Sequence, residues 1–215
     1  MAEHVVARRI PRQERGERRV ARILDAAAEV FAEKGYDEAT TNLIARRADT
    51  SIGSLYQFFP NKESILRALA DRYATQLRAL YDRVLVPEAS ALPLPALLDS
   101  LIDPLVDFCS TTAGFQALVV EGAQDGAGDD IDQEVFGRVE AIYAARAPDV
   151  DAGQIRLSAL VSVQVVKTLL SLIKAGAPDT PERAQLVAEF KRLLRAYLAD
   201  VEVGGLVLTS LVTNH

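Results

Sequence analysis

Between residues 51 and 57 the chain sets Ser51, Ser54, Tyr56 and Gln57 around a single glycine, Gly53. Upstream, Thr40, Thr41 and Asn42 add two hydroxyls and an amide; downstream, Lys62 adds a cation. These groups donate and accept hydrogen bonds, but none is a nucleophile with a base beside it. The chain has two histidines, His4 and His215, and one cysteine, Cys109, which leaves little for a metal site and nothing for an intramolecular disulfide. No phosphate-binding glycine loop, dinucleotide fingerprint, zinc spacing or Glu-x-x-His di-iron pattern is present. Asp103, Asp107 and Glu121 remain as acids, but carboxylates on helices read as a solvated face. The chemistry within reach is recognition through hydrogen bonds, and an enzyme is not expected.

Charge is divided unevenly over the 215 residues. Residues 1–86 hold 15 Lys/Arg against 12 Asp/Glu, whereas residues 87–215 hold 9 against 18. Seven arginines fall in the first 22 residues alone. A basic N-terminal third on an acidic body, with net charge −6 overall, suits a polyanion-binding module; a solvated arm with no partner accounts for the same charges. With 49% hydrophobic and 25% charged residues the composition is that of a globular protein. No window approaches the roughly 18 uninterrupted apolar residues of a membrane span, and the N-terminus lacks the apolar core of a secretory signal. The expected setting is cytoplasmic, without a membrane partner.

Residues 18–34 place Val20, Ile23, Leu24, Ala27, Ala28 and Phe31 at three- and four-residue steps, the stripe of an amphipathic helix. Gly35 follows, where a left-handed residue costs least. Thr40 is suited to cap a short helix over residues 42–48, and Ser51 a third over residues 52–58. Pro60 ends it. Asn61 caps a fourth helix over residues 62–84, with Leu66, Leu69, Tyr73, Leu77, Leu80 and Val84 on one seam. Pro87, Pro93 and Pro95 then break the pattern. Beyond them the spacing predicts helices over residues 95–110, 113–123, 131–147, 152–175 and 181–201, with loops at 125–130 and 147–151. The chain is expected to be all-α, with about nine helices.

Two short helices joined by a tight turn and followed by a long one form a helix-turn-helix layout. Glycine inside a short helix costs up to about 1 kcal/mol relative to alanine. At Gly53, close approach of DNA in the major groove would justify that cost, and so would close crossing by the second helix. Residues 23–66, and above all the run IGSLYQFFPNKE, resemble the DNA-binding domain of the TetR family of bacterial repressors in residue type and spacing. Ala39 departs from a threonine frequent in the family, and Asp49-Thr50 from a frequent Gly-Val. Aspartate tolerates the left-handed conformation of a turn, while losing the valine weakens packing beneath it.

In a helix-turn-helix the second helix enters the major groove by its N-terminal end. That puts Ser51, Ile52, Gly53, Ser54 and Gln57 near base edges, with Gln57 suited to adenine and Ile52 to a thymine methyl. Thr40, Thr41 and Asn42, at the positive end of the preceding helix, and the Tyr56 hydroxyl suit phosphate oxygens. The resemblance implies a backbone contact for Lys62. Arg46 and Arg47 read as surface charge, and the arginine-rich arm either enters a minor groove or raises non-specific affinity.

The resemblance also implies a division into a flexible basic arm (1–17), a helix-turn-helix domain (18–64), a helical ligand-binding and dimerisation domain (65–201) and a tail (202–215). Half-site reading requires two copies about 34–36 Å apart. Ile155, Leu160, Val163, Val166, Leu170 and Ile173 on the first of the last two long helices, with Phe190, Leu194 and Tyr197 on the second, are the candidate dimer contacts, although the same stripe would suit a helix buried within one subunit. Phe108, Phe115, Gln116, Tyr143 and Gln164 are candidate contacts to a small-molecule effector whose binding releases the operator. An activator or a regulator that senses no ligand would share this fold. Cys109 reads as a small core residue, and no cofactor or metal is expected.

Overall fold

A computed structural model describes residues 12–115, 127–173 and 180–212. They form eight α-helices: α1 (Arg12–Glu38), α2 (Thr41–Arg47), α3 (Ile52–Tyr56), α4 (Lys62–Val84), α5 (Leu94–Thr111), α6 (Ala127–Arg146), α7 (Ala152–Leu172) and α8 (Pro181–Val212). A 3-10 turn over Pro87–Ala91 links α4 to α5, and no strand occurs among the described residues. The all-α expectation is correct. The ninth helix expected, over residues 113–123, falls mostly outside the described residues.

Two apolar cores form. The first buries Ile23 and Phe31 of α1, Ile44 of α2, Leu55 of α3, and Ile65 and Leu69 of α4. The second gathers Leu97 and Ile102 of α5, Ile142 of α6, Leu169 of α7 and Leu194 of α8. Helix α4 contributes to both, because Tyr73 closes the first while Tyr81 and Val84 pack on the second.

The helix ends follow the caps legible in the sequence. Thr40 Oγ1 accepts from the Leu43 amide at 3.2 Å, and Ser51 Oγ from the Ser54 amide at 3.1 Å. Asn61 Oδ1 accepts from the Ser64 amide at 2.8 Å, and the two residues form a reciprocal capping box. Gly35 breaks the helical path within α1 at φ 76°, and Asp49 carries the positive φ, 49°, of the α2–α3 turn. Aspartate thus does the work of the missing glycine.

Three boundaries differ from expectation. Helix α1 begins at Arg12, so residues 12–17 of the expected arm are helical; they carry no apolar stripe, and periodicity passes over them. Helix α6 begins at Ala127, inside the expected 125–130 loop. Helix α8 continues to Val212, through most of the expected tail, since no proline or cap follows Val201 and Gly204-Gly205 does not suffice to stop it.

Candidate nucleic-acid interface and bundle cavity

Helices α2 and α3 present one polar, open surface. Leu55 turns inward and is fully buried, while Ser51, Gly53, Tyr56 and Gln57 are exposed and Ile52 and Ser54 are half-buried. Thr40 and Asn42 are exposed at the start of α2, and Thr41 Oγ1 lies 3.2 Å from the Tyr56 hydroxyl, which ties the two helices together. A Cβ built on Gly53 meets nothing within 4 Å. Close crossing by the second helix therefore does not explain this glycine.

Lys62 is bonded within the domain. Its Nζ donates to the Tyr36 carbonyl at 2.6 Å and the Asp37 carbonyl at 3.3 Å, and lies 4.1 Å from the centre of the Tyr36 ring. It clamps the start of α4 to the end of α1, where carbonyls without helical partners attract a cation. Arg47 is likewise held inside the domain, by Glu29 at 2.9 Å and Glu33 at 2.8 Å. The pairing raises the Arg47 pKa and lowers that of Glu33, the hydrogen bond between them being the chief cause of each shift. Arg72 of α4 pairs with Asp25 of α1 at 2.6 Å. Arg19 of α1, absent from the expected surface, donates to Ser54 Oγ at 3.2 Å.

The second core encloses a cavity of about 70 Å³ among α4, α5, α6, α7 and α8. Its walls are mostly aliphatic, among them Leu101, Leu105, Val139 and Val166. Burial pushes the Tyr81 phenol on its α4 side above its ordinary pKa. Asp132 and Lys167 also line it and form an ion pair. Ser162 is buried, and its hydroxyl has no hydrogen-bond partner among the described residues. Such a group lacks about 1–3 kcal/mol that a bonded partner would return.

Residues 23–69 match the family described as "Bacterial regulatory proteins, tetR family", and residues 93–198 match "Tetracyclin repressor-like, C-terminal domain". An uncharacterized HTH-type transcriptional regulator of Mycobacterium tuberculosis is 33% identical over 138 residues, 63% of this chain and 70% of that one. A crystal structure of a TetR-family transcriptional regulator from Streptomyces coelicolor is 33% identical, with a TM-score of 0.56, covering 85% of this chain and 99% of the other. The HTH-type transcriptional repressor KstR of Mycobacterium tuberculosis is 36% identical over 76 residues, 35% of this chain and 34% of its own. The chain belongs to the TetR family. It is a helix-turn-helix transcriptional regulator, not an enzyme, and its family binds operator DNA.

Within this TetR-family chain the expected effector contacts are scattered. Tyr143 lines the cavity, but Gln164 is exposed on α7 and Gln116 lies outside the described residues. Phe108 and Phe115 meet edge-on at 5.4 Å between ring centres, and Phe115 lies 6.0 Å from Tyr73, so both belong to the junction between the two cores.

The expected dimer contacts on α7 and α8 divide between the cavity and the surface. Val163, Val166, Leu170 and Leu194 face the cavity of their own subunit, and Phe190 and Tyr197 are half-buried against the same core. The large apolar residues exposed on these two helices are Leu160, which belonged to the expected dimer face, with Leu157, Val161 and Leu172 of α7 and Leu193 of α8. Helix α7 is apolar on two sides, and sequence periodicity does not say which side turns inward. Its mean hydropathy of 1.5 and its length would also allow a membrane span. Yet its exposed side carries Arg156, Gln164 and Lys167 as well, and its other side packs on α6 and α8. Cys109 is fully buried, and burial pushes its thiol up to about 12.

Proposed function

We propose that this regulator is a repressor that binds a palindromic operator as a homodimer and is released by a small, largely apolar effector. The open surface at Gly53 carries the reading: a helix that tolerates glycine without any neighbour to fit is suited to a close external backbone. Ser51, Ile52, Ser54 and Gln57 then read base edges, and Thr40, Thr41, Asn42 and Tyr56 hold phosphates. Lys62 supports this surface from behind, with its remaining donor free for a phosphate.

A second subunit would cover the exposed leucines of α7 and α8, giving two reading helices the symmetry that a palindrome requires. The cavity suits a neutral molecule with one hydrogen-bonding group for Ser162, since Asp132 and Lys167 already neutralise each other. Because Tyr81 and Val84 line the cavity from the helix that starts beside α3, a ligand that spreads the walls shifts α4 and with it the reading surface. KstR, which matches about a third of this chain, is named a repressor, which favours that sign of regulation over activation. The site of action would be the cytoplasm, where the operator lies.

Selection of bound fragments from random duplex DNA, followed by fluorescence anisotropy, tests the reading. A two-fold symmetric sequence bound by a species of twice the 23.3 kDa chain mass is expected. Failure to enrich any sequence refutes it.

A further inference from the structure

We propose that the first turns of α1 form a phosphate clamp, a second DNA-contacting element beside the reading helix, built from Arg15, Arg18, Arg19 and Arg22. The inference rests on the DNA-binding reading above and adds a surface to it. All four side chains are exposed. At 3.6 residues per turn they fall within an arc of roughly 100°, so they form a flank along the helix and not a scatter of charge. Further along the same flank, Ala26 and Val30 are buried, and Glu29 and Glu33 take Arg47 of α2. The flank therefore runs beside the helix-turn-helix. Arg19 fixes the register, because its guanidinium reaches Ser54 on α3 at 3.2 Å.

Two other guanidinium groups of this domain are neutralised inside the fold, Arg47 by Glu29 and Glu33 and Arg72 by Asp25, whereas Arg46 of α2 is exposed and forms no ion pair among the described residues. Arg15, Arg18 and Arg22 form no ion pair among the described residues. The acids of the flank lie further along it and are already held by Arg47. A chain of net charge −6 thus keeps an unneutralised cationic strip against its reading helix. Once α3 lies in a major groove, the nearest anions to that strip are the phosphates bordering the groove. Arginine suits them through paired N–H donors. Such bonds carry no sequence information; they set register and raise affinity.

The test compares the full-length parent with R15A/R18A/R22A and R15K/R18K/R22K on a duplex that the parent selects from a random pool. Alanine and lysine both favour an exposed helix, so thermal melting of all three should coincide. For every phosphate that is no longer neutralised, the log–log salt slope becomes shallower by about 0.9. The alanine variant is expected to be shallower by up to about 2.7 per bound subunit, with unchanged sequence preference, and the lysine variant to keep the parent slope. Parallel slopes for parent and alanine variant would overturn the clamp while leaving the reading helix intact. A parent that selects no duplex overturns both. Capture of the parent, but not the alanine variant, by phosphatidylglycerol vesicles, together with parallel DNA slopes, would assign the strip to an anionic membrane and also overturn the proposal.

Discussion

Gly114 lies directly against the backbone of Ala28. A Cβ built on Gly114 would stand 2.7 Å from the Ala28 carbonyl oxygen and 3.0 Å from its Cα, and the glycine itself adopts φ +71°. Beside it, the Tyr73 hydroxyl donates to the Ala113 carbonyl at 2.5 Å, and Phe115 packs into the first core. The turn after α5 is therefore seated on α1 and α4, while α5 itself walls the cavity. This seat joins the two cores.

Gly114→Ala is expected to lose on two counts, since alanine at positive φ is strained and its methyl group has no room. The combined cost is on the order of 2 kcal/mol, read as a lower urea midpoint at unchanged slope. Gly137→Ala is the control. Its Cβ meets nothing within 4 Å in the middle of α6, so it should raise stability by up to about 1 kcal/mol. Equal midpoints for the two variants would show that the seat is not tight.

Gly53→Ala separates folding from recognition. The added methyl meets no atom of the described residues within 4 Å, so α3 should gain up to about 1 kcal/mol from the better helix former. Against selected operator DNA the same methyl stands where the duplex approaches, and affinity should fall. Calorimetric melting and anisotropy on one preparation give the two signs. A stabilised variant with parental affinity would mean that the duplex approaches elsewhere.

The residues legible in the sequence were those whose role is local. Thr40, Ser51 and Asn61 act on amides three residues away, and Asp49 serves its own turn, so type and spacing sufficed. That Tyr56 and Gln57 are exposed while Leu55 turns inward followed from the same local frame. Lys62 could not be read this way, because its partners Tyr36 and Asp37 lie a whole helix-turn-helix upstream. That Val163 and Leu194 line the cavity was hidden for a related reason. An apolar residue on a two-sided apolar helix has no local mark of whether a neighbour in the same chain or another chain covers it. Arg15 fell in the expected arm because no apolar stripe runs through residues 12–17; Arg18, Arg19 and Arg22 fell on the expected helix, but nothing local marks that Arg19 reaches Ser54 on α3.

Alkaline stability tests the burial of Cys109. Its thiol ionises near 9 in the unfolded chain, whereas the fold holds it neutral up to about 12, with burial as the cause. The folded state therefore binds more protons in that interval. This contribution is fully present below pH 9 and is lost as pH rises toward 12, at a limiting slope of about 1.4 kcal/mol per pH unit for one group. Tyr73, raised to about 12 chiefly by burial, adds the same sign from about pH 10. Urea titrations between pH 8 and 10 should show parental stability falling more steeply than that of Cys109→Ala. Identical pH slopes would mean that the thiol reaches solvent in the folded chain.

The two faces of α7 predict opposite failures. Leu157 is 56% exposed, and so is Leu193 on α8. A carboxylate at either place is solvated in a lone subunit but stranded beneath a second one. Leu157→Glu and Leu193→Glu should therefore keep parental helix content by circular dichroism and sediment as the 23.3 kDa chain, where the parent sediments at twice that mass. Both should also bind operator more weakly, because one subunit reaches only one half-site. Val166→Glu places the same charge against the aliphatic wall of the cavity, where no cation but Lys167 is near and Asp132 already occupies that. Its cost falls on folding itself, several kcal/mol for an unpaired buried charge. A Leu157→Glu chain that remains dimeric would remove this face from the interface.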